Sequence, residues 1–170
     1  MFRQWKDGTF KMVLVNKTKE QDFNDVCLLE RELVCEELSR GTKGFLQILD
    51  RESLTDRIRD FYVSRDPNLS ATYIAREENA IGFVHGEIQN HPLVAPRRIG
   101  FVTSFFVAPE YRNKGGGGEL YSEMENWFKE KGCVALELDV SEGNPAIKFY
   151  QGEGFEKYMI KLVKKLSGSN

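Results

Sequence analysis

Four consecutive glycines, Gly115 to Gly118, separate an apolar run that ends at Val107 from a helical pattern that starts directly after them. Each glycine in ordered structure costs roughly 1 kcal/mol of conformational entropy, so a run of four requires an explanation. Such a turn lets successive backbone N–H groups point into one concavity at a helix N-terminus, where the helix dipole favours negative charge. Arg112 and Lys114 add positive charge in the same segment. The sequence therefore predicts an oligophosphate-binding turn between a strand and a helix.

The spacing around the glycines excludes two common kinds of phosphate-binding loop. A P-loop NTPase closes the loop with Gly-Lys-Ser/Thr, and the chain contains no Gly-Lys dipeptide. A dinucleotide fingerprint requires a third glycine three residues after the second, and Leu120 and Tyr121 occupy the two positions that this spacing allows. The predicted phosphate site therefore belongs to another class of protein.

Hydrophobic periodicity on both sides of the loop predicts a mixed α/β sheet with helices on its faces. The predicted strands cover residues 12–16, 71–76, 80–89, 98–107 and 134–140, and residues 155–166 are predicted as a last strand or half of a hairpin. The predicted helices cover residues 18–40, a segment within 45–64, residues 117–131 and a short helix that Asn144 and Pro145 open. The predicted order is β-α-α-β-β-β-α-β-α-β.

Length and composition predict one globular domain over residues 1–170, with a loose tail at 167–170. A hydrophobic fraction of 41% is sufficient for a core. The net charge of −2 and the lack of a long Lys/Arg run argue against a nucleic-acid partner. No stretch approaches the roughly 18 apolar residues of a membrane span, and residues 1–11 lack the apolar core of a signal peptide. We therefore expect a cytoplasmic protein without a membrane partner.

The cysteines and histidines do not indicate metal or disulfide chemistry. Cys27, Cys35 and Cys133 are odd in number and contain no CxxC pair. His85 and His91 have no partner at metal-ligand spacing. We expect neither a disulfide framework nor a bound metal.

Two motifs resemble those of the GNAT superfamily of N-acetyltransferases. The first is Arg-x-x-Gly-x-Gly, met by Arg112, Gly115 and Gly117 after the Val-x-Pro-Glu-Tyr run of residues 107–111. The second is the segment 144–155, which contains the Asn-Pro, Phe-Tyr and Gly-Phe pairs of that superfamily in the expected order. The resemblance is good from about residue 71 to 162, whereas over residues 12–70 it consists only of a strand followed by two helices.

The resemblance implies a mixed, mostly antiparallel central sheet of six to seven strands, flanked by about four helices and splayed at the cofactor site. It assigns residues 71–166 to the acetyl-CoA-binding core and residues 12–70 to the acceptor side. The implied activity is transfer of the acetyl group of acetyl-CoA to a primary amine by direct attack, without a metal.

The resemblance also implies roles for individual residues. Those expected to hold the pyrophosphate are Arg112, Asn113, Lys114, Gly115, Gly116, Gly117 and Gly118. The backbone of Phe105, Phe106 and Val107 is expected to bind the pantetheine arm and polarise the acetyl carbonyl, together with Asn144 on the arm. Tyr150 is expected near the sulfur as general acid. Asn144 is also explained as a helix cap, and Tyr150 as part of a core-facing stripe. Relatives commonly carry an apolar residue at the position of Gly116.

The general base is not settled by the residues. Many members of the superfamily carry a carboxylate on the strand before the loop, where this chain has Thr103, which cannot serve as a base at neutral pH. Glu87, Glu137 and Asp139 are the candidate bases, each also explained as a solvated carboxylate at a strand end. A base acting through ordered waters and an amine that arrives neutral are further alternatives.

The acceptor is equally open. An acidic cluster of Glu30, Glu32, Glu36 and Glu37 in the first helix could attract a cationic amine or form a solvated face. The loop 91–98 could form a wall of the acceptor site. A peptide N-terminus, a lysine, a polyamine and a small amine all remain candidates, as does a homodimer, which many relatives form. The alternative function is a non-catalytic acyl-CoA-binding or regulatory module, which Thr103 alone supports.

Overall fold

A computed structural model of the protein describes residues 3–4, 10–11, 13–40, 56, 58–62, 64–90, 98–162 and 164. The strands are β1 (Arg3–Gln4), β2 (Phe10–Lys11), β3 (Leu14–Lys17), β4 (Ser70–Arg76), β5 (Ala80–Asn90), β6 (Arg98–Val107) and β7 (Ala135–Leu138). The helices are α1 (Phe23–Ser39), α2 (a helical segment of which residues 56 and 58–62 are described), α3 (Gly116–Glu130) and α4 (Ile147–Gly152).

The main sheet has five strands in the order β3-β4-β5-β6-β7. The first three pairings are antiparallel, and β6 pairs with β7 in parallel. The sheet is therefore mixed, as predicted, but the expectation of six to seven strands is wrong for the described residues. The separate pair of β1 and β2 was not predicted from the sequence.

The predicted last strand at 155–166 is the source of this difference. Within the described residues 155–162 and 164, no strand forms. Tyr158, Met159, Ile160 and Leu162 are between 78% and 88% exposed, so no neighbouring element of the described chain covers them. An alternating apolar pattern specifies a pleated segment but does not supply the strand with which it must pair.

Helices pack on both faces of the main sheet. The face under α3 buries Val84, Val102, Leu120, Met124 and Phe128, among others. The face under α1 and α2 buries Val26, Leu29, Ile58, Phe83 and Phe106, among others. Both layers meet at β5 and β6, which the sequence predicted as strands from the periodicity of their apolar residues.

Phe128 of α3 lies directly on the two central strands. A Cβ atom at Gly86 of β5 would stand 2.5 Å from Phe128 Cζ, and one at Gly100 of β6 would stand 2.5 Å from Phe128 Cδ1. Because such distances are far below van der Waals contact, only glycine permits this approach of helix and sheet. The close packing fixes the position of α3 and of its N-terminus.

Irregular pairing of β6 shapes the region before the glycine turn. On β5, His85 pairs with Ser104 while the next residue, Gly86, pairs with Val102, so Thr103 is an extra residue in the ladder. Such a bulge bends a strand. The pairing of β6 with β7 ends at Val102, while β6 continues to Val107. In the described chain, the edge of β6 that faces β7 is therefore open from the bulge onward.

Candidate active site

The N-terminus of α3 has the features of an anion-binding site. Gly115 is its N-cap, with φ of 95° in the left-handed region that glycine adopts at little cost, and no side chain caps the first turn. The first N–H groups of a helix have no partner within the helix. A Cβ atom at Gly118 would meet nothing within 4 Å, so described protein atoms do not fill the space beside this turn. The glycines thus leave backbone donors accessible to an anion.

Arg112 is held in place by the protein itself. Its Nε donates to the carbonyl oxygen of Val107 at 2.7 Å, and its two terminal nitrogens donate to the carboxylate of Glu36 on α1 at 2.9 and 2.5 Å. These bonds use three of the five N–H donors of a guanidinium. Arg112 therefore retains two donors for a further anion. The sequence did not predict the Glu36 partner.

The other two polar residues of the turn are exposed. Asn113 adopts φ of 59°, which brings the chain round towards Gly115. The Nζ atom of Lys114 lies 5.5 Å from the centroid of the Tyr111 ring. Both flank the uncapped end of α3, as the sequence predicted for a phosphate-binding segment.

Tyr150 on α4 packs beside the open part of β6. Its ring centroid lies 6.2 Å from that of Phe105, and Phe149 of the same helix lies 5.5 Å from Phe105. Burial, and to a smaller extent the charge of Glu37, raises the pKa of Tyr150 to about 12. The phenol is therefore protonated at neutral pH and is able to donate a proton.

Glu37 connects α1 to the segment before α4. Its carboxylate accepts from Asn144 Nδ2 at 2.8 Å and from the Ser141 hydroxyl at 3.1 Å, and it pairs with Arg40 at 2.5 Å. The Asn144 Oδ1 accepts from the backbone N–H of Ala146 at 2.9 Å, so Asn144 caps the turn that leads into α4. The expected N-cap role is thus shifted: Asn144 caps the preceding turn, whereas α4 itself begins at Ile147 with Ala146 as its N-cap.

The carboxylates predicted as bases lie in three different environments. Glu87 accepts from Arg65 Nε at 3.0 Å and lies 3.4 Å from His85 Nε2. Glu137 is opposite Phe101 in the β6–β7 ladder and is half-buried. Asp139 follows β7, is exposed and forms an ion pair with Lys161. The structure does not bring these three together.

Glu30 is a functional candidate that the sequence singled out only as one member of an acidic cluster. Its carboxylate on α1 accepts from the Tyr62 hydroxyl at 2.9 Å and from the Ser104 hydroxyl at 3.2 Å. Burial raises the pKa of Glu30, whereas these two hydrogen bonds oppose the rise. The available signal was its position: it lies four residues after Val26 and three before Leu33, on the apolar stripe of the helix.

Glu30 lines a cavity of about 300 Å³ between α1, α2 and β6. Its lining residues are Glu30, Ile58, Phe61, Tyr62, Thr103 and Ser104. A larger cavity of about 460 Å³ lies between α3, β7 and residues 153–156, and it contains none of the residues predicted for the site. The smaller cavity also contains none of the residues predicted to bind the cofactor or to move a proton, but it adjoins the bulge of β6 and contains Glu30 of the acidic cluster.

Other features fall outside this site or outside the described chain. The predicted acceptor loop 91–98 lies almost wholly in residues 91–97, which are not described. In the described ranges, no group of three or more His, Cys, Asp and Glu side chains could hold a metal ion. No described helix is long and apolar enough to cross a membrane.

The family model described as Acetyltransferase (GNAT) family matches residues 32–155. The chain belongs to the GNAT acetyltransferase family. The match spans residues 32–39 of α1, the four strands β4 to β7, the glycine turn, α3 and α4. The resemblance seen in the two sequence motifs is thus confirmed at the level of the family.

Among its relatives is YhfO of Bacillus subtilis, an uncharacterised N-acetyltransferase that is 31% identical over 103 residues, or 57% of this chain and 66% of YhfO. The aminoglycoside N(6')-acetyltransferase type 1 of Salmonella typhimurium is 30% identical over 91 residues, or 51% of this chain and 63% of that protein. The GNAT chain thus matches these two relatives over 66% and 63% of their lengths.

Solved structures confirm the GNAT fold. AAC(6')-Iy in complex with the bisubstrate analogue CoA-S-monomethyl-acetylneamine superposes with a TM-score of 0.70 at 21% identity, covering 91% of this chain and 99% of that chain. Glucosamine-6-phosphate N-acetyltransferase from Arabidopsis thaliana gives a TM-score of 0.68 at 17% identity, covering 92% and 100%.

Proposed function

We propose that this GNAT protein is an N-acetyltransferase that moves the acetyl group of acetyl-CoA to a primary amine by direct attack. One observation carries the proposal: the uncapped, glycine-rich N-terminus of α3 follows the part of β6 that β7 leaves open. This arrangement offers donors for a pyrophosphate and, next to them, a free strand edge for an extended arm. A cavity lined by a half-buried carboxylate, that of Glu30, adjoins the same strand.

The donor half of the site fits coenzyme A. The N–H groups of the turn from Gly115 to Gly118 would bind the pyrophosphate, with the helix dipole favouring its charge. The remaining donors of Arg112, the charge of Lys114 and the side-chain amide of Asn113 would add polar contacts. The room beside Gly118 is consistent with close approach of a phosphate.

Along β6, the backbone groups of Phe105, Phe106 and Val107 would hydrogen-bond the pantetheine arm, which would take the place of a neighbouring strand. A backbone N–H directed at the acetyl carbonyl would stabilise the negative charge that develops on its oxygen during attack. Asn144, positioned by Glu37, would contact the arm on the α4 side. Holding acetyl-CoA and the amine in line removes much of the entropic cost of bringing the two reactants together.

Tyr150 would donate its proton to the departing sulfur. Its raised pKa keeps the phenol protonated until the thiolate forms, and its position beside Phe105 places it at the open part of β6. The bases proposed from the sequence are Glu87, Glu137 or Asp139, of which Glu87 and Asp139 already have cationic partners.

The acceptor we propose is a small-molecule or peptide amine, and the similarity to an aminoglycoside N(6')-acetyltransferase places amino sugars among the first to test. The experiment measures thiol release from acetyl-CoA with amino sugars, peptides with free N-termini, lysine peptides, polyamines and amino acids. Turnover with one class would establish the enzyme and name its acceptor.

Calorimetric titration with acetyl-CoA accompanies the amine panel. Binding without turnover on any amine would favour the non-catalytic module. Failure to bind acetyl-CoA would contradict both functions. The charge-reversed Arg112→Glu variant should lose binding of acetyl-CoA; unchanged affinity would remove Arg112 from the phosphate site.

A further inference from the structure

We propose that Glu30 binds the ammonium group of the acceptor amine and removes its proton, in the cavity that α1, α2 and β6 enclose. This inference deepens the function proposed above and rests on it. The carboxylate reaches the site from the first helix rather than from the strand before the glycine turn. The position of Thr103 explains why such a group is needed.

Thr103 and Glu30 line the same cavity. The Thr103 hydroxyl donates to the carbonyl oxygen of His85 at 3.3 Å, so it is engaged with the sheet, and a threonine is no base at neutral pH. Glu30 hydrogen-bonds Ser104, the residue directly after Thr103. Position 103 has no carboxylate, and Glu30 of α1 places one beside Ser104, the next residue of β6.

The charge on Glu30 lacks a counterion in the described part of the chain. Two other members of the acidic cluster have arginine partners: Glu36 binds Arg112 and Arg40, and Glu37 binds Arg40. Glu30 has only the hydroxyls of Tyr62 and Ser104. Removing a carboxylate from water without a cation is costly, and Glu30 is half-buried. An ammonium group entering the cavity would supply the missing charge.

The shape and lining of the cavity indicate the kind of acceptor. Its volume of about 300 Å³ lies at the small end of ligand pockets, so it suits the amino end of a substrate. Ile58 and Phe61 form apolar walls, and Glu30 is the charged member of the described lining. The ligand class is thus a primary amine on a slender carbon arm, with the carbons beside the nitrogen against the apolar walls.

Adjacent residues of β6 connect the cavity to the acid. Ser104 contacts Glu30 on α1, and Phe105 packs against Tyr150 on α4. Successive strand residues face opposite sides of a sheet. Base and acid therefore stand on the two sides of β6 at consecutive positions, next to the strand edge proposed to hold the thioester.

The proton balance follows from this arrangement. Glu30 takes one proton from the ammonium, and the freed lone pair forms the N–C bond while the C–S bond breaks. Tyr150 gives a proton to the sulfur, and the nitrogen loses its second proton as the amide forms, which restores the phenol. The proton on Glu30 passes to solvent. The net products are amide, free thiol and one proton.

The ionisable groups near Glu30 do not exchange protons with it near neutral pH. Cys27 on α1 and Tyr62 on α2 interact electrostatically with Glu30. Asp56 and Arg59 of α2 act on Cys27, and His85 on β5 packs against the rings of Phe61 and Tyr62. Burial raises the pKa of Cys27 and of Tyr62, and burial lowers the pKa of His85 to about 4. None of these three changes charge near neutral pH.

The test compares Glu30→Gln with Glu32→Gln, a matched change at an exposed position of the same helix. With the best amine of the panel at pH 7, kcat/KM should fall at least about 100-fold in Glu30→Gln and less than about threefold in Glu32→Gln. The affinity for acetyl-CoA should stay within about threefold of wild type in both variants. Glu30→Asp should recover part of the loss.

The pH dependence separates a base from a structural residue. A primary amine with a pKa near 10.4 is largely charged at pH 7 and becomes neutral as the pH rises, so the deficit of Glu30→Gln should shrink to about tenfold or less at pH 9.5. A deficit that is the same at both pH values, or activity within about threefold of wild type at pH 7, overturns the proposal.

A binding measurement on the wild-type chain keeps the test independent of turnover. Carboxyl-carbon NMR should show the Glu30 signal shifting saturably with n-butylammonium, while the Glu32 signal stays in place. A shift without turnover on any amine would reject the enzyme and keep the amine site. Turnover with no shift and a fully active Glu30→Gln would reject Glu30 alone.

Discussion

Glu36 of α1 accepts two hydrogen bonds from Arg112, the arginine of the glycine turn, at 2.9 and 2.5 Å. The two residues are 76 positions apart, and they connect the acceptor-side helix directly to the proposed phosphate loop. The pair is partly exposed, with 35% of the Arg112 side chain and 23% of the Glu36 side chain accessible. The arrangement orients the guanidinium before any ligand enters.

We expect Glu36→Gln and Arg112→Lys each to lower the free energy of unfolding by about 1 kcal/mol, because lysine cannot reproduce the two-pronged contact and glutamine lacks the charge. The double variant should be little worse than either single one, since both remove one interaction. Urea unfolding of the four proteins measures this coupling. Strictly additive losses would show that the two side chains do not stabilise the fold together.

Tyr150→Phe should lower turnover at least about tenfold while the affinity for acetyl-CoA changes little, because the ring packing is kept and only the proton donor is removed. Steady-state kinetics and calorimetry on the same preparation give both numbers. Phe149→Leu, which changes an adjacent ring without a hydroxyl, is the matched control. Equal turnover in Tyr150→Phe would exclude Tyr150 as general acid.

Gly116→Ala should raise the free energy of unfolding by about 0.5–1 kcal/mol. The new methyl group would lie 3.7 Å from Ile81 Cδ1 and from Val13 Cγ1, which is ordinary van der Waals contact, at a residue already within α3. Thermal unfolding measures the change. Destabilisation would mean that the turn needs the freedom of glycine at this position.

Gly86→Ala should destabilise the protein by about 1–3 kcal/mol, because its methyl group would overlap Phe128 and force α3 away from the sheet. Gly152→Ala is the control, since a Cβ atom there meets nothing within 4 Å. Denaturant unfolding of both variants should give changes of opposite sign or very different size. A neutral Gly86→Ala would disprove the close packing of Phe128.

Stability should fall between pH 7 and pH 5 because of His85. Its pKa is lowered by burial to about 4, so the unfolded chain, with a pKa near 6.5, takes up the proton first. Stability is thus unaffected above the unfolded pKa and decreases as the pH drops towards 4, by about 2 kcal/mol between pH 7 and pH 5.

The raised pKa of Glu30 acts in the opposite direction, since there the folded protein takes up the proton first. The loss attributed to His85 is therefore best measured in the Glu30→Gln background. A His85→Gln variant in that background should show a much smaller difference between the two pH values. If the loss of stability between pH 7 and pH 5 is the same with and without His85, other groups cause it.

Local signals predicted the parts of the fold that depend on short stretches of chain. The strands at 71–76, 80–89 and 98–107 and the helix after the glycines were predicted because their apolar periodicity is strong and their ends carry turn residues. The segment 155–166 has an equally good pattern, yet its described residues pair with no strand. Pairing is a property of two segments, and a pattern in one of them cannot reveal it.

The candidate site divides in the same way. Arg112 and the glycines lie in one short motif and Tyr150 in a second, so the resemblance to the GNAT superfamily could assign each of them an expected role. The contacts of Glu36 with Arg112 and of Glu30 with Ser104 join residues more than 70 positions apart. Only the packing of α1 on the sheet creates them, and a run of glutamates in a helix resembles a solvated face until that packing is known.

The bulge at Thr103 arises because β6 has one more residue than β5 over this stretch, and it does not depend on which side chain that residue carries. Ser104 still pairs with His85 and Val102 with Gly86, so the strand keeps its partners on both sides of the added residue. What the position contributes is one unit of length, which bends β6 just where β7 stops following it. A substitution at 103 keeps the extra residue, whereas a deletion of one residue would remove the bulge.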